Sequence, residues 1–454
     1  MGKVKVCRGC FAEMDEESEE CPLCGWRSGK THRIDSRWEL GKVLEKRYLI
    51  GDIFFDSEEE KIVVYRSYDH FLQMPCMLLI SLNNEDGDLY KLAVRLSASP
   101  ESESKSLVIQ ALKKIDGEMV LVFSLANRYM QQDKFHKILV AERNTETQDL
   151  IVPAAREQGR DELLPIGYVI AERYHILDFL GVGGFGITYL CEDIFLHRYV
   201  AVKEYFPDEW AVRDESYVVV RQSAMLQAYQ YGMQCFKKEI GITAKFIHTP
   251  HIVTIFDAAV SNDTLYMVME YVPGISMGRE MRARAFQPFS AHEVANMMMP
   301  VLDALEEMHE KKIIHSDISP GNILHTNQGG MCLIDMGAAK YKLDTRPSLS
   351  AIFLKIEYAA PEQYQTAKEG KPSGEGPWTD IYALGATMYY LLTGTKPTDA
   401  ISRLGGKDTN LVHALSGKIP VFWAQLLQNA MALEKRDRIQ SVAELREKIE
   451  AIAL

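Results

Sequence analysis

Alternation of apolar and polar side chains over Ile176–Leu180, and again over Ile187–Leu190, predicts two strands joined through a glycine-rich turn. A third apolar strand runs through Ala201-Val202-Lys203, and AVRDESYVVV, which begins at Ala211, reads as an inserted hairpin. Upstream, LVIQALKKIDGEMVLVFSL (residues 107–125) predicts two further strands. The run from Met14 to Glu20 is too acidic to form a core, and IVPAAREQGRDELLP (residues 151–165) reads as a linker. No apolar run approaches the ~18–20 residues that span a bilayer. MGKVKVCRGC at the N-terminus holds no apolar segment of signal-peptide type, so a cytoplasmic chain without a membrane segment is expected.

Composition narrows the class. The 454 residues leave room for about two or three domains, and 47% hydrophobic with 25% charged residues is the balance of a globular protein. A net charge of −12 argues against a protein built to coat nucleic acid, so no nucleic-acid partner is expected. The eight cysteines divide sharply. Cys76, Cys191, Cys235 and Cys332 stand singly in apolar surroundings and read as small buried hydrophobes in a reducing compartment.

The other four, Cys7, Cys10, Cys21 and Cys24, form C-x2-C, ten residues, then C-x2-C. Each tight turn aims two thiolates at one point, and two such turns supply the four sulfurs of a closed tetrahedral zinc site. The acidic segment between them has no core of its own, so the metal supplies the folding energy. The alternative is a pair of disulfides. The arrangement resembles the zinc-ribbon knuckles at the start of many bacterial multidomain proteins. With no position left for water, this Zn2+ is structural, and residues 1–30 form the ribbon.

Gly181, Gly183 and Gly186 form G-x-G-x-x-G in the turn of the predicted hairpin. The spacing alone is shared with dinucleotide-binding folds, but here it lies within a hairpin and not between a strand and a helix. A glycine hairpin lets backbone amides close over phosphates. Lys203, on the next strand, is then placed to reach the α- and β-phosphates.

From these residues onward the chain resembles the protein kinases, most closely bacterial serine/threonine kinases of the eukaryotic type. FKKEIGI (236–242) puts Glu239 on a helix as the partner of Lys203, and LYMVMEYV (265–272) matches the fifth strand and hinge. The resemblance implies Met269 as gatekeeper and the backbones of Glu270 and Val272 as adenine partners, with Leu180, Thr188, Ala201 and Leu324 around the ring. In HSDISPGN it implies Asp317 as the residue receiving the substrate hydroxyl and Asn322 as a metal ligand. Asp335 in LIDMG is the second magnesium ligand, with Met336 in place of the usual Phe. Glu362 in AAPEQY should pair with Arg438, and Asp380 in TDIYALG should brace the catalytic loop. The expected fold is α+β: a bilobal kinase over 166–454, with a β-rich N-lobe and a helical C-lobe, using ATP and Mg2+.

The stretch IIHSDISPGNIL (313–324) departs from the family pattern H-R-D-x-x-x-x-N twice. Ser316 replaces the Arg that in many kinases receives an activation-loop phosphate, so Thr345, Ser348 and Ser350 should matter little for switching activity on. Ser319 replaces a Lys that touches the transferring phosphoryl group. Counting back from Ala360-Pro361-Glu362, the position that usually carries a Thr holds Lys355. We read the two as exchanged, the Lys355 ammonium serving the phosphoryl group and Asp317. The other reading makes Lys355 a solvent-facing loop residue.

The region 40–150 carries an internal echo. LGKVLEKRYLIGDIFF (40–55) aligns with IGYVIAERYHILDFLG (166–181), pairing Gly41 with Gly167, Arg47-Tyr48 with Arg173-Tyr174 and Asp52 with Asp178. After a two-residue slip, Tyr65 falls on Tyr189, Asp69 on Asp193 and Phe71-Leu72 on Phe195-Leu196. The glycine loop becomes FFDSEEE and Leu79 stands where Lys203 does, so the region reads as a degenerate kinase N-lobe that binds no nucleotide. An unrelated β-rich domain is the alternative. Such a lobe would regulate the kinase by packing on it, or bind a partner. Three functions follow: a protein kinase acting on Ser/Thr hydroxyls of protein substrates, a pseudokinase or scaffold that binds nucleotide and presents the ribbon, or a small-molecule kinase. The long segment from Asp335 to Glu362 favours a polypeptide groove over the last.

Overall fold

The computed structural model describes residues 4–7, 13–15, 18–21, 37–82, 86–97, 107–126, 132–140, 162–336, 355–364, 374–408 and 410–453. The chain divides into two compact units. One comprises Met1–Met233, Thr243–His248 and Thr254–Tyr271, and the other Gln234–Ile242, Thr249–Val253 and Val272–Leu454.

The first unit opens with a small antiparallel pair, β1 (Val4–Val6) and β2 (Glu13–Asp15). Cys7 and Cys21 are buried beside it, whereas Cys10 and Cys24 lie outside the described residues.

A β-rich lobe follows, here called lobe A. It contains β3 (Val43–Leu44), β4 (Tyr48–Ser57), β5 (Ile62–Asp69), β6 (Met74–Ser81), helix α1 (Asp86–Ser97), β7 (Leu107–Ile115), β8 (Glu118–Leu125) and helix α2 (Gln132–Val140). Its strands pair antiparallel in the order β3-β4-β5-β6-β8-β7. Both faces of this sheet are covered, which is why β6 reads as a near-continuous apolar run and not as an alternation. One face buries Trp38, Tyr48, Ile50, Val63, Tyr65, Leu78 and Val120. The other packs Phe54, Phe55, Val64, Leu79 and Phe123 under Leu89 and Ala93 of α1 and Phe135 and Leu139 of α2.

Lobe B carries the glycine motif. It holds β9 (Val169–Ile170), β10 (Tyr174–Gly183), β11 (Gly186–Asp193), β12 (Arg198–Tyr205), the hairpin β13 (Ala211–Asp214) and β14 (Tyr217–Val220), β15 (Ile255–Ser261) and β16 (Thr264–Glu270). Helix α3 (Leu226–Thr243) lies between β14 and β15 in the chain. The sheet order is β9-β10-β11-β12-β16-β15, the same order as in lobe A with a helix interposed at the same point. Irregularities coincide as well. The β4–β5 register shifts between Ile50 and Ile53 and between Ile53 and Phe55, and the β10–β11 register shifts between Ile176 and Asp178 and between Phe179 and Gly181. Asp52 accepts from the Ile53 amide as Asp178 accepts from the Phe179 amide. Arg47 pairs with Asp69 at 2.7 Å, and Arg173 with Asp193 at 2.5 Å.

The second unit is mainly helical. After β17 (Gly274–Ser276) come α4 (Met277–Ala283), α5 (Ala291–Glu310), β18 (Ile323–Thr326), β19 (Met331–Leu333), α6 (Pro377–Thr393), α7 (Val421–Ala430) and α8 (Val442–Ala453), with two short helical turns between α6 and α7. Helix α5 starts at a capping box in which Ser290 and Glu293 satisfy each other's backbone amides. Its buried stripe, including Val294, Met298, Val301, Leu302 and Leu305, recurs at helical spacing and faces the core. Helix α6 is stopped at Gly394, whose φ of 71° suits glycine and where a side chain would collide with the Phe286 carbonyl oxygen. Among the described residues no helix is long and apolar enough to cross a membrane.

Candidate functional site

In lobe B the glycine hairpin forms as its pattern predicts, with strands longer than the alternation alone marks. Gly183 pairs with Gly186 across a turn of Gly184 and Phe185, and Gly181 pairs with Thr188. Gly186 is required for packing as well, since any side chain there would overlap the Glu204 carbonyl oxygen on β12. Lys203 lies on β12 opposite Thr188, and Ala201, two residues earlier on the same face, lies opposite Met269 of β16. Ala201 and Met269 are buried and Lys203 half-buried. Strand β16 ends at the exposed Glu270, the first of the two hinge residues expected from the sequence, and Val272 falls in the second unit.

Beneath Lys203 sits a polar core that the sequence did not announce. Glu204 is fully buried, with Arg213 of the inserted hairpin at 2.5 Å and the hydroxyls of Tyr266 and Tyr189 donating to it at 2.7 and 3.0 Å. Desolvation first, and then the Glu204 charge, pushes both tyrosines well above their ordinary range. The pair fastens the inserted hairpin to β12. Glu162 and Leu164 bond onto lobe B through Arg213 and the Tyr189 hydroxyl, so the last residues of the 151–165 segment pack on it.

In the second unit Asp317, Ser319, Asn322, Asp335 and Lys355 come together. The Lys355 ammonium donates to Ser319 Oγ at 2.9 Å and to Asn322 Oδ1 at 2.8 Å, and lies 3.3 Å from Asp317 Oδ2. Asn322 Nδ2 donates to Asp317 Oδ2 and to the Asp317 carbonyl, both at 2.9 Å, with the Asp335 carbonyl at 3.5 Å. Ser316 and Asp335 hold left-handed φ values of 62° and 54°, strain that non-glycine residues keep where surrounding bonds over-determine the backbone. The buried carboxylate of Asp380 supplies part of that bracing. It accepts from the amides of His315 (2.9 Å) and Ser316 (2.8 Å) and faces His309 Nε2 at 2.8 Å. Glu239 lies on α3 and Leu324 on β18, opposite Ser276 and Cys332.

Two partners here were not legible in the sequence. Ser316 Oγ donates to Glu375 at 3.1 Å, and Gln363 Nε2 donates to the Ser316 carbonyl at 2.9 Å. Glu362 meets Arg438 at 2.8 Å, both buried, and the Thr379 hydroxyl donates to the same carboxylate. A pocket of about 370 Å3 opens beside the loop, lined in part by Ser319, Gly321, Lys355, Tyr358 and Arg282. Thr345, Ser348 and Ser350 lie outside the described residues.

Residues 174–441 match the protein kinase domain family. The chain belongs to the protein kinases. It is 32% identical over 242 residues to the serine/threonine-protein kinase PrkC of Bacillus subtilis, covering 52% of this chain and 33% of that one. With the probable serine/threonine-protein kinase CE0033 of Corynebacterium efficiens it shares 29% identity over 305 residues, 63% of this chain and 42% of the relative. The aligned part thus spans a third to under a half of these two relatives. Among solved structures, a protein described as PpkA-294, apo form, aligns with a TM-score of 0.57 and 28% identity, covering 63% of this chain and 99% of that one. The fold is the bilobal kinase fold, with a β-rich N-lobe and a helical C-lobe, and a β-rich region precedes it.

Kinases use ATP and Mg2+, and Asp335 and Asn322, whose Nδ2 lies 3.5 Å from the Asp335 carbonyl, carry side-chain oxygens of the kind a hard cation takes, with Asn322 Oδ1 bonded here to the Lys355 ammonium. For zinc, no cluster of three or more metal-binding side chains occurs among the described residues, which include Cys7 and Cys21 but neither Cys10 nor Cys24.

Proposed function

We propose that the chain is a protein kinase that transfers the γ-phosphoryl group of ATP to Ser or Thr hydroxyls of protein substrates, with Lys355 in place of the usual catalytic-loop lysine. The observation that carries this reading is the Lys355 ammonium seated among Asp317, Ser319 and Asn322. Asp317 orients the substrate hydroxyl and takes its proton as the oxygen–phosphorus bond forms and the bond to ADP breaks. Lys203, oriented by Glu239, holds the α- and β-phosphates, and Lys355 stabilises charge on the transferring group. Leu180, Thr188, Ala201, Met269 and Leu324 enclose adenine, with the Glu270 and Val272 backbones at its edge and Gly181, Gly183 and Gly186 over the phosphates. Asn322 and Asp335 hold magnesium, which when bound neutralises phosphate charge.

Activation-loop phosphorylation is not needed on this reading. Where other kinases present an Arg, Ser316 bonds the Glu375 carboxylate, which repels a phosphate. Alanine at Thr345, Ser348 and Ser350 together should therefore leave the rate within about threefold, a change of under ~1 kcal/mol.

Labelling with γ-32P-ATP tests the main reading. The wild-type chain should phosphorylate itself or a generic protein acceptor, and Asp317→Ala should abolish the signal. Label that does not depend on Asp317 would leave the scaffold reading standing.

Residues 1–30 are read as a structural zinc ribbon on Cys7, Cys10, Cys21 and Cys24, consistent with the burial of the two described thiols. Plasma emission spectrometry should find one zinc per chain, lost when Cys10 and Cys24 are changed to Ser. The single buried thiols fit the reducing cytoplasm.

Lobe A is read as a degenerate kinase N-lobe that takes no nucleotide. The strand pairings support this reading, with Phe54, Phe55, Val64, Leu79 and Phe123 corresponding to Leu180, Gly181, Thr188, Lys203 and Met269 of lobe B. Phe135 of α2 fills that face, stacked on Phe123 at 5.7 Å between ring centroids and edge-on to Phe54 at 5.3 Å.

A further inference from the structure

Lobe A and lobe B meet through corresponding parts. Edge strands β7 and β15, last in their respective sheets, pack against each other. From lobe A, Arg47 Nη1 donates to the Ala258 carbonyl at 3.0 Å, and Arg47 and Lys113 reach Asp257 at 2.8 and 3.3 Å. From lobe B, Arg198 donates to the carbonyls of Ile109 and Gln110, both at 2.8 Å. Ser124 of β8 lies 3.1 Å from His248 Nε2. Leu196, in the turn before β12, is buried within lobe A's own core, and His197 packs edge-on to Tyr90 of α1. Each lobe thus offers its edge strand to basic side chains of the other. That is the reciprocity of a two-fold interface, here within one chain.

The charges are not symmetric, and the asymmetry selects the partner. By strand correspondence lobe A has Ala111 where lobe B has Asp257, and lobe B has Ala259 where lobe A has Lys113. Two A lobes would set Arg47 and Lys113 against no carboxylate. Two B lobes would keep Asp257 but lose the ion pair from Lys113. A with B places four cations (Arg47, Lys113, Arg173, Arg198) around three carboxylates (Asp69, Asp193, Asp257), whereas two B lobes would gather two copies of Arg173 and Arg198 around two copies of Asp193 and Asp257, a balanced set open to self-association when lobe A is displaced. The two lobes also share a chain, so their mutual concentration is on the order of millimolar, beyond what a second molecule supplies.

We infer that lobe A is a captive dimer partner: it occupies, within the chain, the face of the kinase N-lobe built from β15, Arg198 and Leu196 that would otherwise accept a second N-lobe. This rests on the reading of lobe A as a duplicated lobe for the correspondences, but the docking itself rests on the bonds. Surface-exposed self-association through this face is thereby prevented, and kinase activity per molecule is independent of enzyme concentration.

The test uses the full chain. Sedimentation velocity from about 0.5 to 50 µM, a range that spans ordinary protein–protein affinities, should find a monomer throughout. Lys113→Glu, which sets a carboxylate against Asp257, should speed hydrogen exchange in 107–115 and 255–261 by about tenfold, as loss of a coupled pair does, and should produce dimer at the upper concentrations. Lys113→Arg, which keeps a cation against Asp257, should leave both measurements near wild type. Leu196→Ala withdraws the apolar anchor without altering charge, so it gives the same exchange result should the charge reversal disturb folding. Wild-type exchange rates in both Lys113→Glu and Leu196→Ala, or a wild-type dimer broken by Asp257→Lys, would overturn the inference. Calorimetric titration finding two ATP per chain would instead remove the degenerate-lobe reading and leave the docking result standing.

Discussion

Replacing Lys355 tests the exchange of lysine and hydroxyl most directly. In the structure one ammonium meets Asp317, Ser319 and Asn322 within 3.3 Å, so the side chains of positions 319 and 355 end at the same point. A lysine reaching from either position puts its charge there. Loss of one preorganised charged donor of this kind costs about 2–4 kcal/mol in the transition state, or about 30- to 1000-fold in kcat. Lys355→Ala should show that loss in steady-state phosphorylation of a fixed protein acceptor, with KM for ATP changed little, because Lys203 and the glycine hairpin supply most ground-state binding. Adding Ser319→Lys to Lys355→Ala should recover at least tenfold of it, about 1.4 kcal/mol. Lys355→Arg should recover less, since a planar fork does not reproduce a point charge held by three oxygens. Activity of Lys355→Ala within threefold of wild type, in a folded chain whose Asp317→Ala variant is dead, would refute the exchange, and so would a Ser319→Lys addition that rescues nothing.

Further outcomes follow from the same geometry. Arg438→Met leaves Glu362 buried without its charged partner and should cost about 3–5 kcal/mol in urea unfolding, whereas the paired Glu362→Gln with Arg438→Met should cost less. Phe135→Ala empties the middle of lobe A's second core and should cost about 3–5 kcal/mol while leaving ATP affinity unchanged in calorimetry. Burial, reinforced by Arg47 and Arg173 and opposed by Asp257, brings Lys113 down to about 8. An unfolded lysine titrates near ~10.4, so between those values the unfolded chain binds more protons and stability rises with pH. The wild-type urea midpoint should therefore gain on that of Lys113→Met between about pH 7.5 and about pH 9.5, a comparison that cancels the tyrosines and cysteines common to both.

Much of the site was legible because kinase chemistry is carried by residues in short local patterns. Asp317, Asn322 and Asp335 are recognisable from their neighbours, and the structure brings them together. The placement of Lys355 beside Ser319 was also readable, because a fixed count from Ala360-Pro361-Glu362 locates it. Glu375 and Gln363 were not, since each acts through a bond to Ser316 whose partner is fixed only by tertiary packing. Arg213 was hidden for the same reason: nothing in a β-hairpin sequence says that one of its arginines reaches a fully buried Glu204. Lobe A was visible through its echo of 166–206 and the two strands of 107–125, but α2 was not, because nine residues are too few for a helical period to stand out and its role depends on what Phe135 covers.

On the duplicated-lobe reading, that cover follows from the physics of a nucleotide lobe stripped of its ligand. A kinase N-lobe leaves one sheet face open, with glycines for phosphate and a lysine for charge. Lobe A has Phe55 and Leu79 at the corresponding positions, so the same face becomes apolar and has to be buried. Helix α2 does this with two side chains one turn apart, Phe135 and Leu139, and is held at its start by Gln132 donating to the Phe54 carbonyl. The opposite face could not be released in the same way, because it carries Tyr48, Ile50 and Val63, while the β7 edge carries the carbonyls that Arg198 binds. On the duplicated-lobe reading the lobe serves docking and not chemistry, which fits an Arg47–Asp69 pair at the docking side and Phe55 and Leu79 on the phosphate-facing side.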